Sequence, residues 1–278
     1  MVVDLTVVLL TWNRRYLVNH ALYNLLKNKF PFKLVVIDNA STDGTREYLL
    51  EHKDEIDELI LNKRNIGCAA FNDGIRKAEG NYVALQADDN ILQPNYLGKM
   101  YNVVKTVEKR MKIGWICSAN MVAYPKKWYT KPMSFEEWSY HPEIRILRWN
   151  KRWLATTVTK TFRWGTIIYK EAKAVGSGGT IIPIKTLKKI GLFRTYGLRG
   201  LYDGEWNSRL RMYGYSAGYT LNASLIHVKE VYLRPKRHKE GKASLKPSAK
   251  QKAEMKRHFR ENALYAKKGL PPPSVPKL

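Results

Sequence analysis

Hydrophobic and polar positions fall into alternating blocks over the first hundred residues. Val2–Leu10 and Lys33–Asp38 are runs rich in Val, Ile and Leu that predict strands, and between them Leu17, Ala21, Leu22, Leu25 and Leu26 recur at helical spacing. Further strand-like runs lie at Ile56–Leu61 and Tyr82–Leu85. Helical stretches are predicted over 43–53 and 67–79, and Gly80-Asn81 supplies the stop before the last strand. Strands alternating with helices predict an α/β chain with a mostly parallel, Rossmann-like central sheet flanked by helices. Ligands of such a sheet gather at the carboxyl ends of its strands. Neither G-x-G-x-x-G nor G-x-x-x-x-G-K-[ST] occurs, so a dinucleotide site and a P-loop ATPase are unsupported.

Each strand-like run ends in polar residues. The first is followed by Thr11-Trp12-Asn13-Arg14, the second by the segment Asp38 to Thr45, and the third by Asn62 to Ala69. The fourth leads into Gln86-Ala87-Asp88-Asp89-Asn90. One such ending is an ordinary loop; four in a fold that clusters them describe a polar crevice. Asp88 and Asp89 repel one another there and need a neutralising partner.

From Tyr124 to Tyr169 the pattern loosens. Trp128, Trp138, Trp149, Trp153 and Trp164 are five of the chain's eight tryptophans, interleaved with Lys and Arg. They fit either a core layer with a cationic face or a surface that stacks on bases or sugar rings. Beyond Tyr232 the tail is basic and ends in a Pro-rich segment. Within it, Ser248 predicts the cap of a helix running to Lys268, with Gly269 as its stop. Met255, Phe259, Ala263 and Ala266 give that helix a thin apolar stripe, adequate for docking onto the domain.

The net charge of +25 is unevenly spread. Residues 1–123 hold 16 Lys and Arg against 14 Asp and Glu, residues 124–228 hold 18 against 6, and residues 229–278 hold 15 against 4. So one-sided an excess points to a polyanionic partner, nucleic acid or an anionic membrane surface. Cys68 and Cys117 stand in no metal or disulfide spacing, which fits a reducing, cytoplasmic setting. The apolar start is too short to span a bilayer, and no later segment is apolar for long enough. No internal repeat is evident.

The stretches "VVLLTWNRRYL", "LVVIDNASTDGTREYL", "NIGCAAFNDGIRKAEGNYVALQADDNILQP" and "GLYDGEWNSRLRMYGY" with "LIHV" occur in order over roughly residues 3–230. Together they resemble the family 2 glycosyltransferases of the GT-A fold. The resemblance implies a nucleotide-sugar-binding half over 1–123 and an acceptor-binding, catalytic half over 124–232. A basic C-terminal extension over 233–278 falls outside the pattern. It also implies an inverting sugar transferase that uses a nucleotide-diphosphate sugar, commonly a UDP-sugar, and a divalent cation, Mn²⁺ or Mg²⁺.

By the same resemblance, Asp89 matches the direct metal ligand, with His227 completing the site from a later strand. Asp203 matches the base, with Glu205 as the alternative. Asp38 matches the acid that binds the nucleobase or ribose; Thr11, Arg14, Asn65, Asp73 and Asp88 join it in nucleotide binding. Asp43 reads more simply as a helix cap. Gly178 and Gly179 resemble the acceptor-side loop, and Trp164 and Arg209 complete the expected acceptor surface. Two positions depart from the pattern: Ala87 stands where the metal motif's first acid belongs, and Tyr202 where a Glu precedes the base.

Charge and interleaved tryptophans direct the acceptor expectation to DNA carrying hydroxymethylated bases, in a viral-type enzyme of the host-cell cytoplasm. A glycan or lipid acceptor at an anionic membrane is the alternative. A non-catalytic nucleic-acid-binding protein on a degenerate scaffold is the rival from another class.

Overall fold

The computed structural model describes residues 3–147, 158–176, 179–194, 196, 202–230 and 248–278. Trp149, Trp153 and Gly178 lie outside the described residues, as does most of the segment before Ser248.

The chain begins with β1 (Leu5–Thr11), α1 (Arg15–Leu26), β2 (Lys33–Asp38), α2 (Thr45–Glu51), β3 (Glu58–Leu61), α3 (Ala70–Arg76) and β4 (Tyr82–Ala87). Short β5 (Asn90–Leu92) and α4 (Tyr96–Glu108) lead to the long β6 (Ile113–Pro125). Next come α5 (Phe135–Tyr140), β7 (Ile144–Leu147), β8 (Val158–Trp164), β9 (Ile167–Ala172), β10 (Thr180–Pro183) and α6 (Ile184–Ile190). The last elements are α7 (Tyr202–Met212), β11 (Ser216–Val228) and α8 (Ala249–Lys267).

Among the described residues these strands form one sheet in the order β3-β2-β1-β4-β10-β6-β11-β9-β8, with β5 on β11 and β7 on β6. Pairing is parallel through β3-β2-β1-β4 and again between β6 and β11; β10 joins the two parallel blocks antiparallel to both neighbours. Parallel strands of this kind must be covered on both faces. Accordingly, Leu5, Val7 and Leu9 of β1 enter a core with α1 and α4, while Val8 points into a second core with α3, α6 and α7. Each such side chain, removed from water, contributes about 1.5–3 kcal/mol.

Two features of the later half position the site. β11 slips register against β6 between Thr220 and Ser224, and Asn222 in the slipped stretch bonds Ile168 N and Thr166 O of the β8–β9 hairpin. Beyond the slip β11 also pairs with β5, in a register that sets His227 opposite Asn90.

Ser248 caps α8 in a reciprocal box with Gln251, and Gly269 follows the helix at φ +66°. The docking face differs from the expected stripe. Its buried residues are His258 and Asn262, whereas Ala263 is exposed. Docking is polar: Tyr196 Oη meets His258 Nδ1 at 2.8 Å, and Asn262 Nδ2 donates to Glu205 at 3.0 Å. The tail folds back beneath, where Val275 packs over Gly191 so closely that a Cβ there would lie 2.2 Å from it. Pro276 O accepts from Leu192 N at 2.8 Å.

Candidate active site

β1, β2 and β4 are parallel, so Thr11, Asp38 and Ala87 end on the same edge of the sheet. The chain leaves β1 through Asn13, a non-glycine residue at φ +50°. The 41–45 loop holds that turn: Asn13 N donates to Ser41 Oγ at 2.9 Å, and Thr42 N donates to Asn13 Oδ1 at 2.7 Å. Asp43 accepts from Arg15 N and Thr45 N, both at 3.2 Å, bonding the first residues of α1 and α2.

This turn aims Arg14 across the strand ends. Its Nη1 lies 2.6 Å from Asp88 Oδ1 and 2.8 Å from Asp89 Oδ2, and its Nε lies 2.9 Å from Glu230 Oε2. Thr11 Oγ1 donates to the other oxygen of Asp88 at 2.7 Å. The two adjacent acids are therefore neutralised from within the chain. Burial pushes the Asp88 carboxyl up, against the pull of Arg14. Burial opposes charge on Asp89 as well, but His227, Arg14 and Lys229 around it bring its pKa down to about 2.

His227 stands beside Asp89 because of the β5–β11 register. Its Nε2 is 3.8 Å from Asp89 Oδ2 and 2.6 Å from Lys229 Nζ. Burial lowers its pKa to about 4, which leaves the ring neutral. Asp89 Oδ1 is buried without a hydrogen-bond partner among the described residues. A neutral imidazole beside a carboxylate oxygen with spare acceptor capacity is a donor set that fits a divalent cation. Among the described residues no group of three His, Cys, Asp or Glu side chains is arranged to hold a metal, so other ligands would come from diphosphate and water.

The remaining strand-end residues are organised by side chains. Asp38 is fully buried, accepting from Ser41 N at 3.1 Å and from Arg46 Nε at 2.7 Å. Asn65 Oδ1 accepts from Asn39 Nδ2 at 2.8 Å and from Gly67 N at 2.7 Å, closing the loop after β3. Asp73 lies apart from this network on α3, paired with Arg76 at 3.0 Å.

In the turn before β10, Gly179 has φ +61°, and a Cβ there would lie 2.2 Å from Leu225 and 2.4 Å from Tyr96 Oη. Its carbonyl accepts from Tyr96 Oη and Ser118 N, both at 3.0 Å, so only glycine fits this turn. Trp164 stacks on Phe162 at 5.2 Å and faces Arg110, while Trp138 is buried edge-on to His20. Trp128 stacks on Tyr16.

Two carboxylates two residues apart on α7 meet different fates. Asp203, in the first turn, is partly exposed, and one of its oxygens accepts from Gly204 N at 2.8 Å. Burial pushes its carboxyl up. Glu205 is 1% exposed and lies 3.1 Å from both Arg194 Nη1 and Arg209 Nη2. A carboxylate so enclosed cannot reach an acceptor hydroxyl, which corrects the expectation of Glu205 as alternative base. Arg209 is corrected with it: fully buried, it donates to the carbonyls of Ile190 and Leu192 at 3.1 and 2.6 Å and so has no surface to offer an acceptor.

Sequence reasoning missed Glu230, Lys229, Arg194 and Asn262. The alternation His227-Val228-Lys229 in a strand is a signal that 227 and 229 share a face; the other three carried none.

The profile of the family described as "Glycosyl transferase family 2" matches residues 6–166. The chain belongs to glycosyltransferase family 2. This family 2 glycosyltransferase is 22% identical over 132 residues to the poly(ribitol-phosphate) beta-glucosyltransferase of Bacillus spizizenii, covering 45% of its own length and 21% of that protein. GalNAc-T7, solved with UDP, GalNAc and Mn²⁺, superposes with a TM-score of 0.58 at 16% identity, over 82% of this chain and 44% of that one. The mannosyltransferase PcManGT of Pyrobaculum calidifontis, solved with GDP-Man and Mn²⁺, superposes at 0.55 and 16% identity, over 96% of this chain and 73% of that one. These likenesses identify the fold as GT-A. The chain spans only about a fifth of the length of that curated relative.

Proposed function

We propose that the chain is an inverting, metal-assisted glycosyltransferase acting from a nucleoside diphosphate sugar, with a UDP-sugar as first choice. Its acceptor is a hydroxyl of a polyanionic, phosphodiester-linked glycopolymer. The observation that carries the reading is the spare, buried oxygen of Asp89 next to a neutral His227 at the carboxyl ends of the strands. A divalent cation held by these two residues would supply charge neutralisation for the departing diphosphate. Both solved neighbours named above contain Mn²⁺ with a nucleotide or nucleotide sugar, which supports that assignment.

The chain's own residues do the rest. Thr11, Asp38, Asn65 and Asp88 line the strand ends that receive the nucleoside. Asp203 takes the proton from the acceptor hydroxyl as that oxygen bonds to the anomeric carbon. The bond from this carbon to the diphosphate oxygen breaks on the opposite side, releasing nucleoside diphosphate and inverting the centre. A partly buried carboxyl with a raised pKa is the stronger base for that transfer. Gly179 shapes the acceptor side.

The acceptor assignment rests on charge and kinship together. The basic excess calls for a polyanion, and the curated relative named above acts, by its name, on poly(ribitol phosphate). None of the three proteins named above is described as acting on DNA, so the DNA expectation has no support from them.

The test offers UDP- and GDP-sugars with Mn²⁺ to poly(ribitol phosphate), hydroxymethylated DNA and a lipid-linked saccharide, with products read by mass. Transfer to the polymer, lost in Asp203→Asn and Asp89→Ala, is the expected result. Transfer to DNA alone would overturn the acceptor, and no turnover of any donor would make the chain a binding module.

A further inference from the structure

α8 presents two unlike faces. Inward, it docks through His258 and Asn262, and Glu261 accepts from Ser274 N at 2.9 Å while lying 3.5 Å from Arg194. Its other acid, Glu254, is half-buried, close enough to Tyr196 and His258 to bear on both. Both acids are thus drawn to the docked side. Outward, Lys250, Lys252, Lys256, Arg257, Arg260 and Lys267 are all exposed. Lys252, Lys256 and Arg260 follow one another at i, i+4, about 6 Å apart, on a helix roughly 28 Å long.

The helix is also held in place relative to α7. Asn262 bonds Glu205, two residues from Asp203 on the same helix, and Arg194 ties Glu205 to Asn262 and to Ser274 at the tail. The helix that carries the cationic face is therefore anchored to α7, the helix that bears the proposed base.

We propose that this outward face of α8 is a binding surface for the phosphodiester backbone of the acceptor polymer. The assignment rests on the polymer-acceptor reading above and adds a place where the chain of phosphates is held away from the reacting unit. Charge complementarity selects the ligand class: a row of cations without interspersed outward acids matches a flexible row of phosphates. The same face argues against membrane insertion, since Leu264 is the only large apolar side chain exposed on α8.

The experiment uses the full chain with Lys252→Ala, Lys256→Ala and Arg260→Ala combined, all exposed positions that leave the docked face intact. Circular dichroism and the thermal midpoint serve as the folding control. Binding of long poly(ribitol phosphate) is measured without donor across a salt series, beside a single ribitol-phosphate unit, duplex DNA and vesicles of anionic lipid. For the long polymer, affinity is expected to fall about tenfold and the slope of log K against log salt by about two; the single unit is unaffected. In turnover, KM for the polymer rises and kcat holds. Unchanged polymer binding would overturn the surface, and so would a loss confined to DNA or to vesicles. Polymer bound through these residues but never glycosylated would instead overturn the acceptor reading and leave the surface standing.

Discussion

Two arginine–carboxylate clusters in this molecule are built from the same groups and differ in their access to solvent. At the strand ends, Arg14 spans Asp88, Asp89 and Glu230, its side chain is 23% exposed, and Asp89 keeps an oxygen without a partner. Beneath α8, Arg194 and Arg209 enclose Glu205, which Asn262 bonds as well, and no member is more than a few per cent exposed. The first cluster has solvent access and acceptor capacity to spare. The second has no solvent access, and although Glu205 Oε2 also lacks a hydrogen bond, its ion pairs hold α7, the 190–194 turn and α8 together. What separates a site from a strut is solvent access, since both have the charge and an acceptor oxygen to spare.

The sharpest way to break this comparison lies on α7, where one carboxylate from each regime stands two residues apart. Asp203→Asn should lower kcat by about 10²–10⁴-fold with the thermal midpoint unchanged. Glu205→Gln should do the reverse, costing about 3–5 kcal/mol of stability by stranding two buried guanidinium groups, which a denaturant titration would register. Were Glu205→Gln stable but inactive, the strut assignment would fail. At the other cluster, His227→Ala should weaken Mn²⁺ binding by about ten- to a hundredfold, read by calorimetry in the absence of donor. A smaller effect follows from the raised pKa of Asp203. As the proposed base, Asp203 is protonated as pH falls through a value raised above the usual one for Asp, so the acid limb of the kcat profile should lie higher than an exposed aspartate would give. Smallest, Ser248→Ala removes the cap of α8 and should cost about 1 kcal/mol, with loosened hydrogen-exchange protection confined to that helix and the tail.

The difference between the clusters also marks where sequence reading stopped. β2 and the capped α8 were legible because their signals are local: an apolar run, and a serine three residues before a glutamine. Asp88 and Asp89 were legible as a pair demanding a cation. Their cation was not, because Arg14 lies 74 residues away in the chain and its direction depends on Asn13 adopting φ +50°. Glu205 and Arg209 stand at i, i+4 on a helix, a spacing that announces an ion pair. That the pair would be sealed depended on Arg194 and Asn262, brought in by the docking of α8. The apolar stripe along α8 misled for the same reason: Tyr196 and Glu205 are polar partners, so the buried face of α8 is polar.

Arg14 has a consequence for how the chain reaches its folded state. A carboxylate pair that depended on a divalent ion for neutrality would leave the newly made chain hostage to metal availability. With a guanidinium already seated between Asp88 and Asp89, folding needs no ion to balance them. The chain can fold in the presence of a chelator, its two adjacent acids already matched from within.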